Sequence, residues 1–379
     1  MRILHTSDWH LGRQFHNQSL LEDQRYALQQ ICTIVAEYQV DVVIVAGDIY
    51  DRSVPPAAAV ELLDETIDRI CHDLKVPMIM IAGNHDSPER LGFGARQLAT
   101  AGLHVAGTLW KKPQKIVLQD RHGGKVAFYP LPYVDPATVR NLHATDVTTH
   151  EEALSYLIDL IHTERDREIP AVVIAHCYLS GGESSESERP LAVGGVEYVS
   201  PQLFDGFSYA ALGHLHGSQF RGAEKIRYSG SPLKYSFSEE QQKKSVTLLD
   251  LSSQNNLSIK KIPVNPKKNM RTLNGTLEEI LHAGSSDPHR EDYLRIQLTD
   301  TQAILDIMNK LRDVFPNVLH LERPGLLAHR SLKIDREQLK RGELSMFHDF
   351  YQQITDENLT TEQEKIISQE IEQLHRENF

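Results

Sequence analysis

Cysteine is scarce in this chain, which has only Cys32, Cys71 and Cys177 among its 379 residues. Three thiols at irregular spacing argue against a disulfide framework or a cysteine-based zinc site. No apolar run approaches the roughly 18 residues that a membrane-spanning helix needs. Met1 leads directly into a strand pattern, so we expect no signal peptide and a cytoplasmic location.

The chain also has no excess of positive charge, since it contains 40 Lys and Arg residues and 52 Asp and Glu residues, for a net charge of −12. That balance argues against simple electrostatic adhesion to nucleic acid. One segment nevertheless carries a basic strip without any acid, formed by Lys260, Lys261, Lys267, Lys268 and Arg271. The strip predicts either contacts to phosphate groups or a solvated linker.

Strands and helices alternate through the first hundred residues, which is typical of a mostly parallel sheet. Apolar runs predict strands over 2–5, 42–45 and 78–82, separated by helices over 20–38, 57–74 and 89–100. Further strands, some of them antiparallel, are predicted over 103–106, 115–118, 126–129, 171–175, 209–212, 226–229, 245–251 and 257–264. We therefore expect an α/β sandwich of two sheets flanked by helices, with a polar, mobile loop over 180–189.

Three regions are predicted along the chain: a large domain over 1–264, a small α+β domain over 265–325 and a helical tail over 326–379. The tail has two apolar helical stripes, formed by Met346, Phe347, Phe350, Tyr351 and Ile354 and by Ile366, Ile367, Ile371 and Leu374. Such stripes predict docking of a helix in the groove of a partner, or packing on each other or on their own domain.

Five short motifs rich in metal ligands each follow a predicted strand. They contain Asp8 and His10, then Asp48, then Asn84 and His85, then His176, and finally His214 and His216. Strand ends gather at one edge of a sheet, so we expect these side chains to converge. They are too many for the protein shell of one ion, and Asp48 has two oxygens that could bridge two cations. Ligands of the Asp, Asn and His types without thiolate favour Mn²⁺ or Fe²⁺.

Together the five motifs resemble the calcineurin-like metallophosphoesterase family. The segments MRILHTSDWHLG, VAGDIYD, AGNHDS, ALGHLH and IRYSGSP are similar to the bacterial nuclease subunits of that family, and the first segment and the layout narrow the resemblance to them. The resemblance implies two Mn²⁺ sites, one with Asp8, His10, Asp48 and His216 and the other with Asp48, Asn84, His176 and His214. It also implies that His85 is not a ligand, but protonates the leaving oxygen or stabilises the transition state at the scissile phosphate.

The resemblance further implies a Mn²⁺-dependent DNA nuclease, with 3′→5′ double-strand exonuclease and single-strand or hairpin endonuclease activity in DNA repair, recombination and replication. An ABC-type coiled-coil ATPase would be the partner, with the tail docked on it. The small domain would help to select DNA ends, and the basic strip would lie along the path of the DNA. The protein would form a homodimer within a heterotetramer, through the helices predicted over 57–74 and 89–100.

The sequence also fits several alternatives. Arg52 follows Asp51 as in the phosphatases of the superfamily, where the arginine binds phosphate, but it could instead form a salt bridge at a helix entry. The presence of Arg52 leaves a phosphatase or a small phosphodiesterase as the alternative function, although neither enzyme would need the small domain or the tail. His85 could be a further metal ligand, and Cys177 could be inert or sensitive to oxidation. A non-catalytic scaffold would have lost some ligands, and none is missing.

Overall fold

Two six-stranded sheets face each other in the computed structural model, which describes residues 1–189, 191, 198–302, 304–324, 344, 347–348, 351–352 and 358–377. The first sheet has the spatial order Leu257–Pro263, Ser245–Leu251, Arg2–Thr6, Val42–Val45, Met78–Ile81 and Leu103–Ala106. The second has the order Gln219–Arg221, Ala223–Tyr228, Tyr209–Gly213, Ala171–His176, Lys125–Leu131 and Ile116–Gln119. The predicted α/β sandwich of two mixed sheets is confirmed.

The strand Val42–Val45 is buried on both faces, as its continuous β-branched run predicts. It pairs in parallel with Arg2–Thr6 on one side and with Met78–Ile81 on the other. Its residues Val42 and Ile44 face the space between the sheets and belong to one apolar core with Ile174 of the second sheet. Burying a side chain of this size stabilises the fold by about 1.5–3 kcal/mol, so this core fixes the two sheets face to face.

Helices alternate with the strands along the chain. They lie over Leu21–Glu37, Ala57–Ile67, Pro136–His143, His150–Glu164, Leu277–Gly284, Ile307–Val314 and Thr361–Glu377, with single turns at Pro88–Leu91 and Ala95–Leu98. The helix His150–Glu164 begins with a capping box of Thr149 and Glu152. Its residues Leu157 and Ile161 are buried in a second core on the outer face of the second sheet.

Several predicted elements differ from the structure. The helix predicted over 89–100 is wrong, because Gly94, with φ of +71°, separates two short turns. The helix predicted over 57–74 continues beyond Ile67 as a π-helical segment, Asp68–Asp73. The strand predicted over 226–229 is part of Ala223–Tyr228, which pairs in parallel with Tyr209–Gly213 and antiparallel with Gln219–Arg221. Pro136–His143 has no counterpart in the prediction.

The chain divides into two compact units, one with Met1–Thr272 and Glu291–Leu294 and the other with Leu273–Arg290 and Arg295–Phe379. A small sheet has the order Met270–Gly275, Tyr293–Leu298 and Val318–Glu322. The second unit contains the helix Ile307–Val314. The division of the chain at residues 264 and 325 stays a prediction.

The second apolar stripe of the tail lies on the helix Thr361–Glu377, in which Ile366 is 55% exposed. In the first stripe, Phe347 and Tyr351 are described, whereas Met346, Phe350 and Ile354 lie outside the described residues. The side chain of Leu374 lies outside them as well. Within the described part of the chain, no helix is both long enough and apolar enough to span a membrane.

Candidate metal centre

Strand ends from both sheets bring the predicted ligands together at one edge of the sandwich. Asp8 follows Arg2–Thr6 and Asp48 follows Val42–Val45 in the first sheet, while His176 ends a strand of the second sheet. The main-chain amide of Asp8 donates to the carbonyl of Gly47 over 3.0 Å. This bond ties the first two motifs to each other, as expected for ligands beyond the carboxyl ends of parallel strands.

The backbone at the site is strained in several places. Asp8, His10, Asp48 and His214 all have positive φ angles, of 53°, 45°, 52° and 105°. Residues with a side chain rarely adopt this region, at a cost of about 1–3 kcal/mol each, and such outliers cluster at functional sites. A Cβ on Gly83 would overlap the Oδ1 atom of Asp48, so glycine is required there. The fold therefore accepts local strain to point these side chains inward.

The carboxylate of Asp48 lies in the middle of the cluster and is 2% exposed. Its Oδ2 atom is 3.5 Å from Nε2 of His10 and 3.5 Å from Nε2 of His176. Its Oδ1 atom accepts from the main-chain amide of His85 over 2.9 Å. One oxygen of Asp48 thus faces two separate imidazoles, which is the geometry that a bridging carboxylate needs.

Asn84 and His176 face each other with acceptor atoms. Nδ1 of His176 lies 3.0 Å from the carbonyl oxygen of Ala46 and must donate to it, so its Nε2 carries a lone pair. That Nε2 is 2.8 Å from Oδ1 of Asn84, which is also an acceptor. Two acceptors at this distance repel each other, and a cation between them removes the repulsion. The pair fits a divalent metal ion.

His10 and His216 form the second close pair, with 3.1 Å between their Nε2 atoms. Nδ1 of His10 is buried and has no hydrogen-bond partner within the described residues. His10, His216 and Asp8 can each offer one ligand atom within 4.8 Å of the others, and so can Asp8, Asp48 and His176. Both groups are fully buried, and their nitrogen and oxygen donors without thiolate suit Mn²⁺ or Fe²⁺.

The electrostatics of these groups are those of a cation site. Burial, and then the neighbouring Asp48 carboxylate, raise the pKa of Asp8 well above its usual range. Burial also lowers the pKa of the imidazoles of His10, His176 and His214, which stay neutral and able to bind metal. A divalent cation would relieve the mutual repulsion of the two acids.

His85 lies beside this cluster and is 4% exposed. Its Nδ1 is 2.8 Å from the main-chain oxygen of Asp51 and donates to it, which leaves Nε2 on the side of Asp48. That Nε2 is 3.9 Å from Oδ2 of Asp48, farther than the nitrogens of His10 and His176. His85 also forms a third compact group with His10 and Asp51, so the role of a further ligand stays open geometrically.

His214 is 3% exposed and lies beside His176, with 5.4 Å between the ring centroids. Its main-chain amide donates to Oδ1 of Asp8 over 2.9 Å, which joins the fifth motif to the first. The three compact groups found among the described residues do not include His214. All eight residues of the five motifs nevertheless lie in the same region, and their individual roles stay predictions.

Sequence reasoning missed the acids that support the site. Asp86 accepts from the main-chain amides of Ile49, Tyr50 and Gly83, at 2.9–3.0 Å, and so links two motif loops. Asp86 belongs to the segment AGNHDS, so its position beside Asn84 and His85 could have indicated a supporting role. Glu239 is fully buried behind His216, with its Oε1 atom 3.4 Å from Nδ1. Nothing in the sequence around Glu239 indicates this contact.

The polar loop over 180–189 packs on the site, whereas its composition predicts a mobile loop. Ser187 is 7% exposed, and its Oγ atom is 2.6 Å from Nδ1 of His216. The carboxylate of Glu188 accepts from the main-chain amide of His216 over 2.8 Å. Hydrogen bonds to His216 therefore hold these residues, and composition alone cannot show such partners.

Other predicted positions lie outside the cluster. Arg52 is exposed and makes no ion pair among the described residues, so the predicted salt bridge is not formed there. Cys177 is buried, and burial raises the pKa of its thiol to about 12, which keeps it protonated and favours the inert interpretation.

The basic strip does not form one surface. Lys260 and Lys261 are neighbours in the strand Leu257–Pro263 and point to opposite faces of the sheet. The ammonium of Lys260 lies 5.4 Å from the ring centroid of Tyr38, while Lys261 donates to the carbonyl of Ser218 over 3.3 Å. Arg271 pairs with an acid, Asp292, and Lys268 lies over the ring of Tyr293. Lys267 is exposed, and DNA binding by the strip stays a prediction.

Comparison with known proteins gives the same family. The family model described as calcineurin-like phosphoesterase matches residues 1–218, which contain every candidate ligand. A model described as the type 5 capsule protein repressor C-terminal domain (SbcD_C) matches residues 266–355.

Two related proteins match nearly the whole chain. The D subunit of the SbcCD nuclease of Staphylococcus saprophyticus is 34% identical over 372 residues, covering 97% of this chain and 96% of that protein. The protein of the same name from Staphylococcus epidermidis is 34% identical over 361 residues, covering 95% of each. The crystal structure of TT1561 of Thermus thermophilus is 12% identical, with a TM-score of 0.39 over 69% of this chain and 98% of that one. The chain therefore belongs to the calcineurin-like phosphoesterase family and, within it, to the D subunits of SbcCD-type nucleases.

Proposed function

We propose that this chain is a Mn²⁺-dependent DNA nuclease that cleaves phosphodiester bonds at the cluster around Asp48. The observation that carries the proposal is the position of Oδ2 of Asp48, 3.5 Å from Nε2 of both His10 and His176. Two cations flanking one carboxylate are the arrangement used for phosphate-ester hydrolysis, in which they activate a water molecule and neutralise charge on the phosphoryl oxygens.

One ion would be held by Asp8, His10, Asp48 and His216, and the other by Asp48, Asn84, His176 and His214. The acceptor pairs His10–His216 and Asn84–His176, at 3.1 and 2.8 Å, support this division. His85 would contact the phosphate instead of an ion. Its bond to the carbonyl of Asp51 fixes the ring, so that Nε2 can carry a proton to the leaving oxygen.

The substrate and the partner are proposed from the family. As an SbcCD-type nuclease, the chain would act as a 3′→5′ exonuclease on double strands and as an endonuclease on single strands and hairpins. It would work in DNA repair, recombination and replication in the cytoplasm, as a homodimer bound to two copies of an SbcC-like ABC-type coiled-coil ATPase. The exposed Ile366 of the helix Thr361–Glu377 supports a docking role for the tail.

The test is the degradation of linear double-stranded DNA, labelled at the 5′ or the 3′ end, by the purified chain with Mn²⁺ or with EDTA. We expect loss of the 3′ label first with Mn²⁺ and no cleavage with EDTA. The same reactions with the ATPase should be faster. Hydrolysis of nitrophenyl phosphate with no cleavage of any DNA would contradict the proposal and favour a phosphatase.

A further inference from the structure

A chain of buried hydrogen bonds lies behind His216, on the side of the ring that faces away from the metal centre. Nδ1 of His216 is 2.6 Å from Oγ of Ser187, and that Oγ is 2.5 Å from Oε1 of Glu239. Glu239 is fully buried and Ser187 is 7% exposed. These groups belong to neither of the two ligand sets, and water does not reach the carboxylate to replace its partners.

The ion pair with Lys244 fixes the direction of the hydrogen bonds. Nζ of Lys244 lies 2.5 Å from Oε2 of Glu239, so the acid is a carboxylate and can only accept. Oγ of Ser187 also lies 2.8 Å from Oγ of Ser185, whose own hydroxyl donates to Glu188 over 2.6 Å. The hydroxyl of Ser187 therefore donates to Glu239, its nearest acceptor, and accepts the hydrogen on Nδ1 of His216. The other nitrogen, Nε2, is left with its lone pair, directed toward His10 at 3.1 Å.

Lys244 adds a second constraint on the same histidine. Its ammonium donates to the main-chain oxygen of His216 over 2.9 Å and to Oγ of Ser231 over 2.8 Å. The positive charge of Lys244 also balances the negative charge of Glu239 within the protein. The pair therefore orients His216 without adding net charge to a site that already holds two acids, Asp8 and Asp48.

We propose that Glu239, acting through Ser187, is a positioning residue that keeps His216 in the tautomer with hydrogen on Nδ1 and a free lone pair on Nε2 for the divalent cation. This inference rests on the metal-binding role of His216 in the proposed function. Partners of this kind behind a metal-binding histidine typically account for a 10–100-fold difference in metal affinity.

The test is the substitution Glu239→Gln. The ammonium of Lys244 would attract the amide oxygen, so the amide nitrogen would face Ser187 and donate to it. The serine hydroxyl would then donate to Nδ1 of His216, and the hydrogen of the ring would move to Nε2. We expect one of two Mn²⁺ ions to bind about 10–100-fold more weakly in calorimetric titration, while the other is unchanged.

The tautomer itself gives a readout that does not depend on activity. Long-range ¹H–¹⁵N spectra of the metal-free protein, with the His216 signals assigned from a His216→Gln sample, should show a pyrrole-type Nδ1 in the wild type and a pyrrole-type Nε2 in Glu239→Gln. Glu188→Gln is the matched control, because Glu188 accepts from the main-chain amide of His216 and lies 4.0 Å from the ring nitrogen. It should keep the wild-type tautomer and both ions.

Unchanged Mn²⁺ affinity and an unchanged tautomer in Glu239→Gln would overturn the inference. If Glu239→Gln does not fold because Lys244 is left unpaired, the variant Ser187→Ala is used instead, since it keeps the ion pair. Unchanged Mn²⁺ affinity and an unchanged tautomer in Ser187→Ala would equally overturn the inference. Wild-type affinity and tautomer in Ser187→Thr, which keeps the hydroxyl, would support it. A wild-type protein that binds no Mn²⁺ would instead reject the proposed function.

Discussion

At the scale of single residues, His85 separates the proposed chemistry from metal binding. We expect His85→Gln to keep both Mn²⁺ ions and to lose about 10²–10⁴-fold in DNA cleavage, because it removes only a proton donor. Metal analysis after dialysis and the end-labelled DNA assay measure the two effects on one sample. His122→Gln, in an exposed turn, is the control and should change neither. A variant of His85 that has lost an ion would show that this residue is a ligand.

His5 makes a prediction about pH. Burial lowers the pKa of this histidine to about 3, and its ring nitrogens contact the hydroxyl of Tyr209 and the carbonyl of Leu212. The unfolded chain takes up the proton near pH 6.5 and the folded chain does not, so stability contributed by neutral His5 is lost as the pH falls from about 6.5 toward 3.

His5→Gln should reduce the pH dependence of the free energy of unfolding between pH 6.5 and 5 by up to about 1.4 kcal/mol per pH unit. Glutamine can make both hydrogen bonds but does not titrate. Urea unfolding of both proteins in EDTA measures the two slopes, and the other buried histidines titrate in both samples and cancel. Equal slopes would show that His5 does not stay neutral in the folded chain.

At the scale of elements, the site depends on close contact between strand ends of the two sheets. A Cβ on Gly213 would overlap the carbonyl oxygen of Ala46, so Gly213→Ala should force the sheets apart. We expect a loss on the order of 3 kcal/mol in urea unfolding, together with weaker Mn²⁺ binding. Gly181→Ala is the control, because Gly181 has φ of +77° but open space around it. It should cost only about 1–2 kcal/mol and leave metal binding intact.

If Gly213→Ala proved no more costly than Gly181→Ala, the contact between strand ends would not be what holds the motifs together. Gly181 and Gly213 are matched because both are loop or strand-end glycines, and of the two only Gly213 faces backbone of the other sheet.

Some elements were predictable from sequence and others were not, for physical reasons. The strand before Asp48 is a continuous apolar run, which has few alternatives to a buried parallel strand, and its position then fixes Asp48 at the sheet edge. The helix predicted over 89–100 is wrong because the prediction followed the spacing of apolar residues and did not allow for Gly92 and Gly94. Contacts between distant residues, such as Ser187 with Glu239, depend on tertiary packing and leave no local pattern.

The same distinction holds within the metal centre. Residues of the D-x-H, GD, GNHD and GHLH motifs could be named because each follows a strand end. The roles of individual ligands came from resemblance, and the structure adds the atom pairs, such as Asn84 with His176, that make the division between two ions physically reasonable.

For the whole molecule, we expect the tail to bind the ATPase subunit and to have no part in DNA cleavage. Ile366→Asp places a charge on the exposed apolar position of the helix Thr361–Glu377, and should weaken co-purification with an SbcC-like ATPase at least 10-fold. Gln369→Asp adds the same charge to an exposed polar position of that helix and should have little effect. Basal nuclease activity should be unchanged in both variants. If both variants bound the ATPase equally well, the face of the helix that carries Ile366 would not be part of the interface.

Asp48 is proposed to contact two ions at once, and this bridging role is tested by counting the Mn²⁺ ions that each variant binds. Equilibrium dialysis followed by metal analysis should give about two ions for the wild type, about one for Asp8→Ala and for Asn84→Ala, and close to none for Asp48→Ala. The reason is that Asp48 has an oxygen directed toward ligands of both sets. If a folded Asp48→Ala protein still held one ion tightly, Asp48 would not bridge the two ions.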